Sequence, residues 1–162
     1  MHGYPAYVGL GSNLRDPAAQ VQAAFAELAQ IPQTRLVCRS TLYGSSPMGP
    51  VAQADFCNAV VGLLTALEPA PLLAALRAIE ERFGRERARE RWGPRVIDLD
   101  LLMYAEQRST DPLLTLPHPG IAERNFVLIP WSEFAPDLYV PGLGRVAELA
   151  ARISADGLWS MA

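Results

Sequence analysis

Apolar residues recur along this chain with two periods, every second position in some stretches and every third or fourth in others, and the switches between them mark strands and helices. Ala6 to Leu10 reads as a first strand, ending at Gly11-Ser12-Asn13. Asp16 makes a good N-cap with Pro17 at the first helical position. Val21, Phe25 and Leu28 then recur at helical spacing until Pro32 stops the helix. Leu36 to Tyr43 reads as a second strand, the turn residues from Gly44 to Pro50 as a loop, and Phe56 to Thr65 as a third strand. Leu72, Leu73, Leu76, Ile79 and Phe83 define a second helix that Gly84 terminates. Val96 to Tyr104 reads as a strand, Phe126 to Ile129 as another, and Val146, Leu149, Ala150 and Ile153 suggest a last helix. The order strand-helix-strand-strand-helix-strand predicts an α+β, ferredoxin-like sandwich: a mainly antiparallel sheet with helices packed on it, plus extra C-terminal elements. Gly9-Leu10-Gly11-Ser12-Asn13-Leu14 lacks the third glycine of the dinucleotide fingerprint, which disfavours a Rossmann domain.

Length and composition agree with one such unit. The 162 residues suffice for a single domain, 1–162, with enough apolar content to bury a core. Met1 to Pro5 has no basic stretch, and Ala6-Tyr7-Val8-Gly9-Leu10 is too short for a signal segment or a membrane span, so the expectation is a cytoplasmic protein that binds no membrane; a monomer is expected, though nothing in the sequence derives it. Cys38 and Cys57 lack metal-type spacing and read as buried free thiols. A net charge of −3 argues against a nucleic-acid binder. All 14 basic residues are arginine, and Arg77, Arg82, Arg85, Arg87, Arg89, Arg91 and Arg95 crowd into one short stretch. The interleaved Glu80, Glu81, Glu86 and Glu90 also allow a salt-bridged, solvated helix end, the preferred reading for Arg82 and Arg89.

The most informative run is Arg91-Trp92-Gly93-Pro94-Arg95-Val96-Ile97-Asp98-Leu99-Asp100-Leu101-Leu102. Alternation puts Asp98 and Asp100 roughly 6–7 Å apart on one face, with Ile97, Leu99, Leu101 and Met103 on the other. Alone, Asp-Leu-Asp also fits a hydrated edge strand. Two carboxylates that close are relieved by Mg²⁺, which takes one or two carboxylates plus substrate phosphates, and flanking arginines suit phosphate equally well. Phe56 and Asn58 share a face of the third strand, where a ring can stack on a flat heterocycle while an amide offers donor and acceptor to its edge. A core phenylalanine and a structural asparagine are the plainer reading. Glu80 lies on the apolar face of its helix, where a carboxylate needs a partner. His118, between two prolines, reads as a loop histidine fixed by a backbone hydrogen bond.

These motifs occur in the order of a known family. The chain resembles the 6-hydroxymethyl-7,8-dihydropterin pyrophosphokinases in Trp92-Gly93-Pro94-Arg95-Val96-Ile97-Asp98-Leu99-Asp100-Leu101-Leu102. It also resembles them in Gly11-Ser12-Asn13, Pro47-Met48-Gly49-Pro50, Phe56-Cys57-Asn58, Leu116-Pro117-His118-Pro119 and Glu123-Arg124-Asn125-Phe126-Val127-Leu128. The resemblance covers roughly residues 6 to 140 and implies the same ferredoxin-like fold.

It implies transfer of the β,γ-diphosphoryl group of ATP to the pterin hydroxymethyl oxygen, with AMP leaving, as a step of folate biosynthesis. The partners would be these two small molecules, with Asp98 and Asp100 holding two Mg²⁺ ions. Arg85, Arg95, Asp98 and Asp100 would be catalytic. Glu80, Arg87, Trp92, Arg95, Leu101, Thr115, His118 and Arg124 would bind ATP. Ser45, Met48, Phe56, Asn58, Trp92 and Phe126 would bind the pterin, and Arg85, Arg87 and Trp92 would belong to a lid that excludes water. The chain departs from some relatives at Ala88 and Leu113, which lack basic side chains, and at Phe56, which lacks a tyrosine hydroxyl. No general base is assigned. The rivals are another two-metal nucleotidyl transferase or nuclease, disfavoured by the acidic balance and the Phe56/Asn58 pair, and a regulatory ligand-binding module, which would not need both aspartates.

Overall fold

In the computed structural model, which describes residues 3–47, 49–50, 52–84 and 96–161, the chain begins with β1 (Tyr4–Ser12) and turns into α1 (Pro17–Ala29). The helix starts where the sequence predicts: Asp16 caps it by accepting from the Ala19 N–H at 3.2 Å, and Pro17 holds the first turn. β2 (Thr34–Arg39) and β3 (Tyr43–Ser45) follow, then β4 (Phe56–Thr65), α2 (Pro69–Gly84) and β5 (Asp98–Tyr104). The order along the sheet is β5, β1, β4, with β2 and β3 pairing to different stretches of β4, and every pairing is antiparallel. Each helix therefore connects strands separated by a third, the arrangement of the ferredoxin-like sandwich.

The second strand predicted from Leu36 to Tyr43 is two strands in the structure. The chain leaves β4 after Arg39 and returns at Tyr43, so Ser45, predicted in a loop, is a strand residue paired with Phe56. The Ser40 N–H donates to the Val60 carbonyl at 2.8 Å and the Val60 N–H to Ser40 Oγ at 3.0 Å, which keeps the break satisfied.

The sheet has two covered faces. On one, α1 (through Val21, Ala24, Phe25 and Leu28) and α2 (through Leu72, Leu76 and Ile79) pack on alternate residues of the strands, including Val8, Leu10, Val61, Leu63, Leu99 and Leu101. The other is covered by elements after β5. These are the hairpin β6 (Ser109–Asp111) and β7 (Leu114–Leu116), a 3-10 turn at Ile121–Glu123, α3 (Asn125–Ser132), the hairpin β8 (Tyr139–Val140) and β9 (Gly144–Arg145), α4 (Val146–Arg152) and β10 (Leu158–Ser160). Val60, Leu102, Met103, Val127, Leu128 and fully buried Trp131 form the second core there.

Two expectations fail against this architecture. Phe126 to Ile129 is not a strand but part of α3. Met103 does not share the face of Leu99 and Leu101: the β1–β5 register shifts between Tyr7 and Val8, an extra residue enters β5, and Leu102 and Met103 both turn into the second core. Cys57 is buried as expected, whereas Cys38 is only half-buried; both are free. Burial pushes the Cys57 thiol up to about 11. Among the described residues no helix is long and apolar enough to cross a membrane.

Candidate active site

The candidate site lies on the face away from α1 and α2, where the C-terminal end of β1 meets the N-terminal ends of β4 and β5. Register brings it together. Asp98 is opposite Gly11, which is opposite Asn58, which is opposite Tyr43; two residues along, Asp100 is opposite Gly9 and Gly9 opposite Val60. Opposed residues of an antiparallel pair project to the same side, so two carboxylates and one amide rise from a floor that β1 keeps low with glycine. A Cβ on Gly11 would lie 3.3 Å from Asn58 Oδ1.

Above this floor is a cavity of about 380 Å³, lined by Ser45, Phe56, Asn58, Asp98, Asp100, Arg124 and Phe126 among others. Phe56 comes from β4 and Phe126 from the first turn of α3. The Asn58 amide nitrogen donates to Ser45 Oγ at 2.7 Å and to the Tyr43 carbonyl at 3.5 Å. Its donor side is thus committed to the protein. Asn58 presents the cavity with an acceptor, Oδ1, rather than with both donor and acceptor as the sequence suggested.

The Gly11-Ser12-Asn13 motif holds the rim. Ser12 Oγ donates to the Val96 carbonyl at 2.5 Å, anchoring the residues that enter β5, and buried Asn13 donates to Gln53 Oε1 at 3.1 Å and to the Ala54 carbonyl at 3.3 Å. Gln53 also lines the cavity. Gly9, Gly11 and Gln53 were missed as site residues, although two glycines spaced two apart at the end of a strand signal one open face.

A second cleft of about 200 Å³ runs along the β5 edge, lined by Leu73 and Arg77 of α2, Leu101, Leu114, Thr115 and His118, and again by Asp100. Arg124 Nη1 is 3.3 Å and His118 Nε2 3.8 Å from Asp100 Oδ2. The His118 pKa is lowered: burial outweighs the opposing pull of Asp100, and Arg124 and Arg77 lower it further. Its Nδ1 accepts from the Gly120 N–H at 3.1 Å. A neutral ring accepting at Nδ1 carries its proton on Nε2, the nitrogen that faces Asp100.

Glu80 lines neither cavity. Its side chain, 8% exposed, accepts from the Leu99 N–H at 2.8 Å and pairs with Arg77, while Arg77 Nη1 donates to the Leu99 carbonyl at 2.9 Å. Leu99 is opposite Leu10 at a position where its own N–H and C=O point away from β1, toward the sheet edge. Glu80 and Arg77 thus replace a missing neighbour strand at the one residue between the two aspartates. Met48, Arg85, Arg87, Trp92 and Arg95, together with Ala88, Arg89 and Arg91, lie outside the described residues.

Among the described residues no group of three or more His, Cys, Asp or Glu side chains is placed to hold a metal. A donor set of two carboxylates on one face, without thiolate or a histidine cluster, suits a hard ion that keeps waters and phosphate oxygens as its remaining ligands, and so fits Mg²⁺.

Two phenylalanines and an amide line a cavity that shares Asp100 with a cleft holding histidine and arginine, an arrangement of the kind found in proteins able to take a flat ring beside an anionic group. Comparison with known proteins narrows the class. The model of the 7,8-dihydro-6-hydroxymethylpterin-pyrophosphokinase family matches residues 7–136, and the chain belongs to that family. It is 47% identical over 152 residues to the 2-amino-4-hydroxy-6-hydroxymethyldihydropteridine pyrophosphokinase of Pseudomonas aeruginosa, covering 94% of this chain and 93% of the relative. It is 42% identical over 149 residues to that of Haemophilus influenzae, covering 92% of each. The crystal structure of Plasmodium falciparum HPPK-DHPS with pterin and p-hydroxybenzoate superposes with a TM-score of 0.71 at 15% identity, over 93% of this chain. This likeness shows the fold, and the chain spans 43% of that longer one.

Proposed function

We infer that residues 1–162 form a single pyrophosphokinase domain that transfers the β,γ-diphosphoryl group of ATP to the hydroxymethyl oxygen of 6-hydroxymethyl-7,8-dihydropterin in folate biosynthesis, releasing AMP. It acts on these small molecules as a cytoplasmic monomer. The observation that carries the placement of the substrates is that Asp100 lines both cavities. The pterin occupies the larger one, between Phe56 and Phe126, with Asn58 Oδ1 accepting from an N–H on its edge and Ser45 holding the amide. The nucleotide lies in the cleft beside Leu101, Thr115 and His118, with its phosphates reaching Asp100.

Both reacting groups then meet over one acidic pair. Arg124 lies between Asp100 and the Phe126 ring, with its guanidinium carbon 5.9 Å from the ring centre, and so can follow charge that develops between the two substrates. The neutral His118 ring offers Nε2–H to a phosphate oxygen without adding a full positive charge. Asp98 and Asp100 would hold Mg²⁺, as two ions, which when bound would offset phosphate charge. Glu80 fixes the Leu99 peptide between the two aspartates, which adds a positioning part to the nucleotide contact expected for it from the sequence.

Product analysis tests the reading. Protein mixed with MgATP and 6-hydroxymethyl-7,8-dihydropterin should form AMP and the pterin diphosphate, and nothing when pterin or Mg²⁺ is left out. ADP would point to a single-phosphate kinase, and no product from folded protein to a binding module.

A further inference from the structure

The two walls of the larger cavity come from distant parts of the chain: Ser45 ends β3 and Ser46 follows it, and Phe126 and Val127 lie in the first turn of α3. A third segment touches the backbone of both. β10 pairs antiparallel with β3, Leu158 opposite Ser45, Trp159 opposite Gly44 and Ser160 opposite Tyr43. Just before it, the Gly157 carbonyl accepts from the Ser46 N–H at 2.9 Å. On the other side, Asn125 Nδ2 donates to the Ser154 carbonyl at 2.9 Å and to the Asp156 carbonyl at 3.0 Å. Both amide hydrogens of Asn125 are therefore used on residues 154–156, and Asn125 sits between Arg124 and Phe126.

The geometry between these two attachments is built for the purpose. Gly157 turns the chain at φ 73° from the carbonyls held by Asn125 into β10. Gly44 leaves the space that the Trp159 indole occupies, so that any Cβ there would collide with the ring. The segment buries little: Ser154 to Gly157, Trp159 and Ser160 are exposed, and Leu158 is half-buried. Its order comes from hydrogen bonds to the cavity walls rather than from a core of its own.

We propose that residues 154–160 are a brace that sets the spacing between the Ser45–Ser46 wall and the Asn125–Phe126 wall, and that Asn125 is the positioning residue through which the brace holds Phe126 against the pterin. This rests on the assignment of the pterin to that cavity. Asn125 touches no substrate. It fixes the first turn of α3, whose preceding residue, Arg124, supplies no side-chain cap, and so fixes the ring that follows it.

Three variants test the brace: Asn125→Ala, a chain ending at Ile153, and the two combined. Each is titrated separately with 6-hydroxymethyl-7,8-dihydropterin and with the Mg²⁺ complex of α,β-methylene-ATP, after circular dichroism has established that it is folded. Loss of two hydrogen bonds that act through wall position should weaken pterin binding about tenfold, leave nucleotide binding within about twofold, and raise the pterin KM more than it lowers kcat. The combined variant should bind pterin no worse than the shortened chain, because the shortening already removes the partners of Asn125. If the shortened chain does not fold, Gly157→Val, which forces a β-branched residue to positive φ, takes its place. Unchanged pterin affinity in folded Asn125→Ala, equal loss for both ligands, or additive losses would overturn the brace. Absence of pterin binding by the parent chain would instead overturn the cavity assignment, and the brace with it.

Discussion

Removing the Glu80 carboxylate should loosen the strand that carries both aspartates. Glu80→Ala deletes a bond from a backbone N–H to a charged acceptor, about 1.5–3 kcal/mol for such a bond. It also dissolves the pair with Arg77, which adds less than about 1 kcal/mol because the arginine is 46% exposed. The Leu99 N–H is left facing a helix at the sheet edge. The expected loss is about 2–3 kcal/mol, or roughly 4–12 °C in Tm for a chain of this size. Glu80→Gln keeps an acceptor oxygen and should lose about 1 kcal/mol. Because Leu99 lies between Asp98 and Asp100, kcat should fall about tenfold in Glu80→Ala, well below the roughly 10²-fold that a full ångström of misplacement can cost. Urea unfolding followed by circular dichroism gives the first quantity and steady-state release of AMP the second. A folded Glu80→Ala variant with stability within about 0.5 kcal/mol of the parent and an unchanged kcat would refute the reasoning.

Asp100→Asn should keep the fold while lowering kcat on the order of 10³-fold, since several kcal/mol of charge stabilisation pass through that carboxylate; a loss below tenfold in the AMP assay would remove it from the centre of the site. Phe56→Ala and Phe126→Ala should each weaken pterin binding by about 1–3 kcal/mol, the usual worth of one aromatic face on a flat base, with nucleotide affinity unchanged by calorimetry; equal losses for both ligands would contradict the slot. The Cys57 thiol is raised from 9.0 to about 11, so the folded state holds a proton that the unfolded chain gives up from about pH 9. Stability should therefore decline between pH 9 and 11, by at most about 2.7 kcal/mol from this group, and Cys57→Ala should show a shallower decline over the same window; equal slopes would exclude the thiol as the cause.

The central elements were legible because local chemistry and burial agree there. Asp16-Pro17 starts a helix by capping and by fixed φ, and the nearly continuous apolar run from Phe56 to Thr65, bounded by turn residues, is a strand buried on both faces. The misread elements are those where pattern alone is ambiguous. Phe126-Val127-Leu128-Ile129 is apolar at every position, which fits a buried strand or a buried helix equally, and α3 has no side-chain cap to decide the matter. The β5 bulge is invisible for the same reason: Leu101-Leu102-Met103-Tyr104 offers no polar residue to show which side faces out. Of the site, Asp98, Asp100, Phe56, Asn58 and Phe126 could be named because their chemistry is unusual for their positions. The roles of Gln53 and Asn125 depend on partners more than ten residues away, which no local pattern encodes. Glu80 reads as a carboxylate needing a partner, and the structure supplies two: Arg77, one turn back, and the Leu99 N–H, which no local pattern shows.

A carboxylate that lines two cavities also ties their occupants together thermodynamically. Whatever the first ligand does to Asp100, by drawing Arg124 or His118 away from it or by presenting charge to it, changes the free energy available to the second. Linkage requires the effect to be mutual: a nucleotide that tightens pterin binding by some factor is itself tightened by the pterin by the same factor. Asp100 thus makes the occupancy of each cavity a function of the other's, with a single coupling factor shared by both ligands.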